Sequence, residues 1–254
     1  VQAALAVFEE ARQLYAQEQF PLAEAQSLIN IGEAHLLLSN FMASLHAFAR
    51  AEQLLTPLGD LLERHILARQ LGDVYLALNL YSEAIAAYRQ AEQGLPADFA
   101  YHNGLTAWSL GMALAAQAQW IAAQQALTAA AQTFQASGNL PFLAAIQLEQ
   151  AALAELVGDT SAARTMAQAA LTLVADSHWT VQKVYAYLRN ADLALPDTRR
   201  AEELLLAAEP LVNALHLPQL RYRWQQRLGH LRLLQGDDKG AQRYLEQAIA
   251  EIEQ

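Results

Sequence analysis

Apolar residues along the chain recur at intervals of three, four and seven positions, the spacing of a buried stripe on an α-helix. The pattern breaks at short segments with Gly, Asn, Asp or Pro, which are typical of helix ends and turns. It predicts thirteen helices and no strand. Their expected spans are 1–18, 22–38, 41–56, 60–78, 81–94, 98–117, 120–137, 141–157, 160–176, 178–195, 198–215, 219–235 and 238–253. Pro210 falls inside the eleventh span and is expected to kink or end that helix.

Residue types repeat about every forty positions. A small residue on one helix is followed, on the next helix, by a small, a large and another small residue. The clearest sets are Gly32, Ser44, Phe48, Ala51; Gly72, Ala84, Tyr88, Ala91; Gly111, Ala123, Leu127, Ala130; and Gly229, Ala241, Leu245, Ala248. Two weaker copies lie within 142–215, one at Gly158-Asp159 and one at Pro196-Asp197. Each unit is therefore a pair of closely packed helices, and it must stack on its neighbours to bury its apolar faces.

These residues resemble the tetratricopeptide repeat. Residues 68–96 carry its pattern in Leu71, Gly72, Tyr75, Tyr81, Ala84, Tyr88, Ala91 and Pro96. The period of about forty exceeds the thirty-four of the standard repeat, so longer helices or turns are expected. The resemblance implies an all-α, right-handed α-α superhelix of about thirteen antiparallel helices, forming a single domain over residues 1–254. Its expected parts are a half repeat at 1–18 and repeats at 22–57, 62–96, 102–136, 142–176, 179–215 and 219–254.

Composition supports this fold and narrows the function classes. The chain has 53 alanines against 11 glycines and 7 prolines, which favours helix throughout. A formal net charge of −10 argues against a nucleic-acid partner. Fifty residues between Asp98 and Glu149 lack any Asp, Glu, Lys or Arg, but glutamines and Gly138-Asn139 interrupt them, so no membrane span is predicted. No signal peptide is visible, and we expect a cytoplasmic protein.

No arrangement of residues points to catalysis. The chain has no cysteine, which excludes a thiolate zinc site and a cysteine nucleophile within it. Its histidines form neither H-x-x-x-H nor H-E-x-x-H, and no phosphate-binding glycine loop or nucleophile elbow is present. We therefore expect no enzyme activity, no metal and no cofactor. The aromatic residues that recur at the repeat period favour core packing; they are Phe41, Tyr81 and Trp120 at one position and Phe48 and Tyr88 at another.

A candidate binding surface follows from the resemblance. In tetratricopeptide repeats one face of each first helix lines an inner groove, and Trp108 and Met112 occupy that face within the uncharged stretch. The other predicted groove positions are Gln26, Ile29, Glu33, Arg69, Asp73, Leu148, Asn190, Arg223, Gln226 and His230. A groove with an apolar middle and polar ends suits a peptide or helix held by a few side chains. The alternative is that Trp108 only fills a gap between helices.

Four arginines crowd the helix expected at 219–235. Arg221, Arg223, Arg227 and Arg232 lie there beside Tyr222 and Trp224. Acidic residues recur in the neighbouring helices, so a salt-bridged surface, or a docking face for an adjacent acidic domain, is favoured over a nucleic-acid interface.

Two functions are compatible with these patterns. The first is a protein- or peptide-binding scaffold. Its last repeat resembles the one that precedes the caspase-like CHAT protease domain, which implies a sensor arm for a downstream effector. The alternative is the effector-sensing arm of a MalT-like transcription activator. The chain opens in mid-helical pattern at Val1, which suggests a piece of a longer protein. Helix faces left uncovered at its ends, with Leu5, Phe8, Ile249 and Ile252, would then allow a weak homodimer.

Overall fold

The computed structural model describes residues 1–252, with the backbone alone at Ile252. This part of the chain contains thirteen α-helices, a 3₁₀ turn at Ala97–Phe99 and no strand. The helices are α1 Gln2–Gln17, α2 Pro21–Leu37, α3 Phe41–Leu58, α4 Leu61–Ala77, α5 Tyr81–Glu92, α6 Ala100–Ala116, α7 Trp120–Ala136, α8 Leu140–Leu156, α9 Thr160–Val174, α10 Thr180–Ala194, α11 Thr198–Leu215, α12 Pro218–Leu234 and α13 Asp238–Ile252. The predicted all-α helical-repeat fold is confirmed.

The observed helix ends agree with the predicted ones to within two residues. Pro210 is an exception to the expectations, because α11 continues through it to Leu215. Proline removes one backbone hydrogen bond but does not by itself outweigh tertiary packing. Here buried residues on both sides, Leu205 and Val212 among them, hold the helix together. Pro210 therefore does not end the helix, and the expected kink stays a prediction.

The helices form two compact units, one of residues 1–133 and one from residue 134 onward. In the first unit the first helices of the repeats are α2, α4 and α6, and the second helices α3, α5 and most of α7 pack against them. In the second unit the first helices are α8, α10 and α12, and the second helices are α9, α11 and α13. The single-domain organisation stays a prediction.

In the first unit each pair of helices meets where a large side chain lies over a glycine. Phe48 and Tyr88 are fully buried, and a Cβ atom on Gly32 or Gly72 would overlap their rings. A Cβ on Gly111 would lie 2.7 Å from Cγ of Leu127. Gly229 and Leu245 repeat this arrangement at 2.7 Å in the second unit. The small residue on the first helix is therefore needed for the close approach, as its recurrence predicts.

In the weaker repeats of residues 142–215, other side chains replace the contact between a glycine and a large side chain. Ala151 lies forty residues after Gly111, and it packs in one buried cluster with Ala163 and Ala167 of α9. Ala191 follows after another forty residues and is buried among Leu204 and Leu205. At Ala151, a pair of alanines thus replaces the pairing of a glycine with a large side chain.

The backbone of the turn between the two helices of a repeat differs at one place in the second unit. Ser39, Asn79, Ala118, Gly158 and Gly236 adopt left-handed backbone angles there, with φ between 58° and 86°. The turn between α10 and α11 has no such residue. Instead Pro196 leads into Asp197, whose side chain accepts a hydrogen bond from the backbone N–H of Arg200.

Gly32→Ala tests the close approach. An alanine in a helix interior ordinarily adds about 1 kcal/mol of stability over glycine, but here the added methyl overlaps the Phe48 ring and should instead cost about 1–3 kcal/mol. Urea unfolding of Gly32→Ala, Phe48→Ala and the double variant measures the effect. The double variant, which reproduces the Ala151–Ala167 pairing, should lose less than the sum of the single losses. Strict additivity would contradict the model of one shared contact.

Residues 142–215 should be the least stable part of the chain. Ala167 occupies the place that Phe48 and Tyr88 fill elsewhere, so less apolar area is buried there. In a stacked array, stability is roughly a sum of repeat and neighbour terms. Amide hydrogen exchange followed by mass spectrometry should show α8–α11 opening first, and uniform protection from α2 to α12 would refute this.

Candidate functional site

Two side-chain hydrogen bonds join the first helices α2 and α4 across neighbouring repeats. Gln26 Nε2 donates to Oε1 of Glu63 at 2.7 Å, and Gln70 Nε2 donates to Oε2 of Glu33 at 3.1 Å. Gln26 and Glu33 are exposed, whereas Glu63 and Gln70 are buried. The predicted groove residues Gln26 and Glu33 therefore connect neighbouring repeats and remain accessible to solvent.

Arg69 and Asp73 form a second polar group one helix further along this face. Arg69 Nη1 donates to Asp73 Oδ2 at 2.8 Å, and the Tyr88 hydroxyl donates to Asp73 Oδ1 at 2.7 Å. Burial, and after it the Asp73 carboxylate, raise the pKa of Tyr88 far above its ordinary value, so its hydroxyl stays protonated. Asp73 is thus held from two sides, and it fixes the Arg69 guanidinium on the predicted groove face.

Trp108 and Met112 lie one turn apart on the same face of α6. Met112 is 37% exposed and Trp108 is half-buried. No charged residue occurs anywhere in α6. On α2 the residue equivalent to Trp108 is Ile29, which is only 3% exposed and belongs to the core. Ile29 is therefore not available in a groove, contrary to expectation.

A buried histidine that the sequence analysis did not single out links α4, α5 and α6. His65 Nδ1 lies 2.9 Å from the carbonyl oxygen of Ala91, and its Nε2 lies 3.0 Å from Oγ1 of Thr106. A carbonyl oxygen only accepts, so Nδ1 carries the hydrogen and Nε2 accepts from the hydroxyl. Burial lowers the pKa of His65, and burial followed by the charge of Arg69 lowers that of His102.

In the second unit the predicted groove residues have different environments. Gln226 and His230 are exposed on α12. Arg223 lies over the ring of Tyr185, with its Cζ 5.5 Å from the ring centroid. Asn190 instead donates from Nδ2 to the carbonyl oxygens of Ala167 and Ala186, both at 2.8 Å, so its amide is used in packing.

The sequence held a signal for the residues missed on α10. With Ala191 in the place of the repeat glycine, the positions equivalent to Arg223 and His230 are Tyr185 and Asp192. Counting back from Pro196-Asp197 gives Asn190 instead, because Ala201 follows Ala191 by ten residues, whereas Ala123 follows Gly111 by twelve. Tyr185 is therefore the groove position of α10 within the second unit, and the Nδ2 group of Asn190 is engaged in packing.

The arginines of α12 form the salt-bridged surface that their neighbours in sequence suggested. Ion pairs join Arg221 to Glu251 at 3.0 Å, Arg227 to Asp192 at 2.8 Å and Arg232 to Glu202 at 2.7 Å. Trp224 is buried and donates from Nε1 to the carbonyl oxygen of Leu205 at 2.8 Å. Most of the positive charge on α12 is therefore engaged within the second unit.

A shielded carboxylate, Glu149 of α8, lies near the half-buried Leu148 in this unit. Burial raises the pKa of Glu149, and the charges of Arg189 and Arg223 oppose that rise. Arg189 itself pairs with Glu155 at 3.0 Å. Charges of both signs are thus interleaved across the first helices of the second unit.

A cavity of about 530 Å³ opens between α9, α10 and α11 in the second unit, lined by Arg164, Gln168, Asn190, Leu193 and Arg200 among others. It is an open groove. Within residues 1–252, no group of three or more His, Asp or Glu side chains is placed to hold a metal ion. In that same part of the chain, no helix is long and apolar enough to cross a membrane.

No protein-family model and no curated protein matches this sequence. Solved structures do match its fold. A tetratricopeptide repeat protein from Parabacteroides merdae ATCC 43184 aligns over 98% of this chain and 93% of its own, at 12% identity and a TM-score of 0.67. The fold is that of a tetratricopeptide-repeat array.

Two further structures share this array fold. BtubC (BKLC) from P. vanneervenii aligns over 84% of this chain and 90% of its own, at 16% identity and a TM-score of 0.69. A Rap protein complexed with competence and sporulation factor aligns over 91% of this chain and 65% of its own, at 15% identity and a TM-score of 0.67. At such identities the likeness concerns the fold alone.

His65 should make the stability of the array depend on pH. Its pKa in the folded chain lies below the ordinary 6.5, so between those two values the unfolded chain binds a proton that the folded chain does not. The free energy of unfolding should therefore decrease as the pH falls below 6.5. Urea titrations at several pH values should show a shallower pH slope for His65→Gln, with a residual slope from His102.

The matched control is His46→Gln, because His46 is an exposed histidine of α3 in the same unit. It should leave the pH slope unchanged. An unchanged slope in His65→Gln would show that the buried imidazole is not the group that titrates.

Proposed function

We propose that this chain is a protein-interaction scaffold that holds a peptide or helix of another protein on the first-helix face of its first unit. The observation that carries the proposal is the exposed Met112 beside the half-buried Trp108 on an uncharged helix, next to the fixed Arg69–Asp73 pair. The Rap structure, whose fold is similar, is described as a complex with competence and sporulation factor. It supports this use of the fold.

The surface suits a ligand with one apolar anchor flanked by polar groups. An apolar side chain that binds on Trp108 and Met112 would displace water without burying a charged group, because α6 has no charged residue. Arg69, Asp73, Gln26 and Glu33 are held by hydrogen bonds before any ligand arrives. Little side-chain ordering is then required on binding, which favours affinity.

The wider context is also part of the proposal. We infer a sensor or interaction arm of a larger bacterial protein, with a CHAT-type protease as the downstream effector, working in the cytoplasm as one repeat domain. The alternative is the effector-sensing arm of a MalT-like activator. A small effector needs a largely enclosed pocket, whereas the 530 Å³ cavity of the second unit is open. This favours the macromolecular ligand.

Trp108→Ala and Met112→Ser test the binding surface. Peptides selected from a display library against the intact chain supply the ligands, and fluorescence anisotropy gives their Kd. Each variant should raise Kd at least about tenfold, a loss of about 1.4 kcal/mol, because hot-spot side chains dominate such contacts. Circular dichroism should show unchanged helix content.

The control is Val7→Ser, an exposed apolar residue on α1 away from this face, which should not change Kd. If Trp108→Ala instead lowers the free energy of unfolding by about 3–5 kcal/mol, Trp108 is a core residue. Unchanged peptide affinity in Met112→Ser would exclude this face as the binding surface.

A further inference from the structure

The turns between first and second helices in the first unit form an edge without charge. Segments 34–49, 74–82 and 99–133, which contain these turns, have no Asp, Glu, Lys or Arg. In the second unit the equivalent turns carry Asp159, Asp197 and Asp237. Two of these turns lie side by side, since Gln117 Nε2 donates to the Ser82 hydroxyl in the preceding repeat at 2.8 Å. The helices that lead into the first two turns, α2 and α4, are themselves joined by hydrogen bonds. We call this surface the turn edge.

Large apolar side chains are exposed along the turn edge. Leu37 and Met42 are each 67% exposed, Leu80 42%, Trp120 36% and Ile121 80%. Trp120 was expected to pack in the core, but it begins α7 at the edge and lies partly in solvent. Aromatic side chains bury about 150–250 Å² each, and about 200 Å² is taken for each fully exposed side chain. These five therefore leave on the order of 600 Å² of apolar surface.

The size of this surface makes it a candidate interaction site. The largest apolar patch on a typical monomer is about 300–600 Å² and is often functional. A standard interface buries about 800 Å² on each side, and its polar rim supplies part of that area. The turn edge has the apolar area for such an interface, with Asn40, Asn79, Gln117 and Gln119 as its polar groups.

We propose that the turn edge pairs with the turn edge of a second copy of this chain. The first unit has five arginines against twelve Asp and Glu, a net charge of −7, so two copies repel each other over much of their surface. Contact through the turn edge places no like charges opposite each other. A strongly basic or acidic partner would find no countercharge there.

The polar groups of the turn edge also suit self-pairing. Amide side chains both donate and accept hydrogen bonds, so Asn40 and Gln119 can pair with the same residue types across a two-fold axis. A two-fold contact uses one self-complementary patch on both subunits. A lipid surface is disfavoured, because anionic headgroups repel a unit of net charge −7.

Ile121→Glu and Met42→Glu test the pairing. Sedimentation velocity over a concentration series should show a monomer–dimer equilibrium for the unaltered chain. Each variant should raise the dimer dissociation constant at least about tenfold, since it places two carboxylates within one apolar contact. Val7→Glu, an equally exposed substitution on α1, should leave the dimer intact. Circular dichroism verifies that all the variants are folded.

A second measurement locates the contact. Because the chain contains no cysteine, Ser82→Cys provides one thiol at the turn edge, and Ser161→Cys provides one at the equivalent exposed position of the second unit. A short bismaleimide should cross-link the first variant into covalent dimers and should not cross-link the second, although both variants dimerise.

Three results would overturn the proposal. One is a monomer at every concentration. Another is a dimer that Val7→Glu dissolves and Ile121→Glu does not, which would place the contact at α1, as the uncovered apolar face of that helix suggested. The third is binding of phosphatidylcholine vesicles that Ile121→Glu abolishes in a chain that does not dimerise.

Discussion

The contact of a glycine on one helix with a large side chain on the next determines most of the first unit. Because Gly72 has no Cβ, the Tyr88 ring passes directly over it and its hydroxyl reaches Asp73, the next residue. Asp73 in turn fixes Arg69 on the inner face. At the preceding repeat the ring belongs to Phe48, which has no hydroxyl, and Glu33 accepts from Gln70 of the next repeat instead. A packing constraint thus decides which polar side chains are held by hydrogen bonds on this face.

Relaxing the same constraint changes the second unit. Alanines replace the large side chain and the glycine at Ala167 and Ala151, so that contact buries less apolar surface. Ion pairs then join the first helices, between Arg189 and Glu155 and between Arg227 and Asp192. Partly exposed ion pairs contribute little free energy each, so they fix the register of the helices more than they stabilise them. The open cavity beside α9 fits this looser packing.

Periodicity in the sequence was sufficient for the helices and for the fold class, because both depend on where apolar and small residues recur. It was insufficient where the period shifted. The second helix starts two residues earlier after Ala191 than after the repeat glycines, so the groove positions on α10 are Tyr185 and Asp192 and not Asn190, and the buried Ala191 marks this frame. Recurrence at the repeat period also predicted Trp120 as a core residue, but a side chain at the first position of a helix can be partly packed and partly exposed to solvent. His65 was missed because its partners, Ala91 and Thr106, are remote in sequence.

Residues 99–133 carry no charged side chain, which matters for any surface that loses water on binding. An apolar surface that becomes dehydrated on binding must not carry ionised groups, since an unpaired buried charge costs far more than the contact returns. The uncharged stretch supplies the inner face of α6, with Met112, and one end of the turn edge, with Ile121. The proposed ligand and the proposed second copy would thus contact different helices, α6 and α7, and both would rely on the same uncharged stretch.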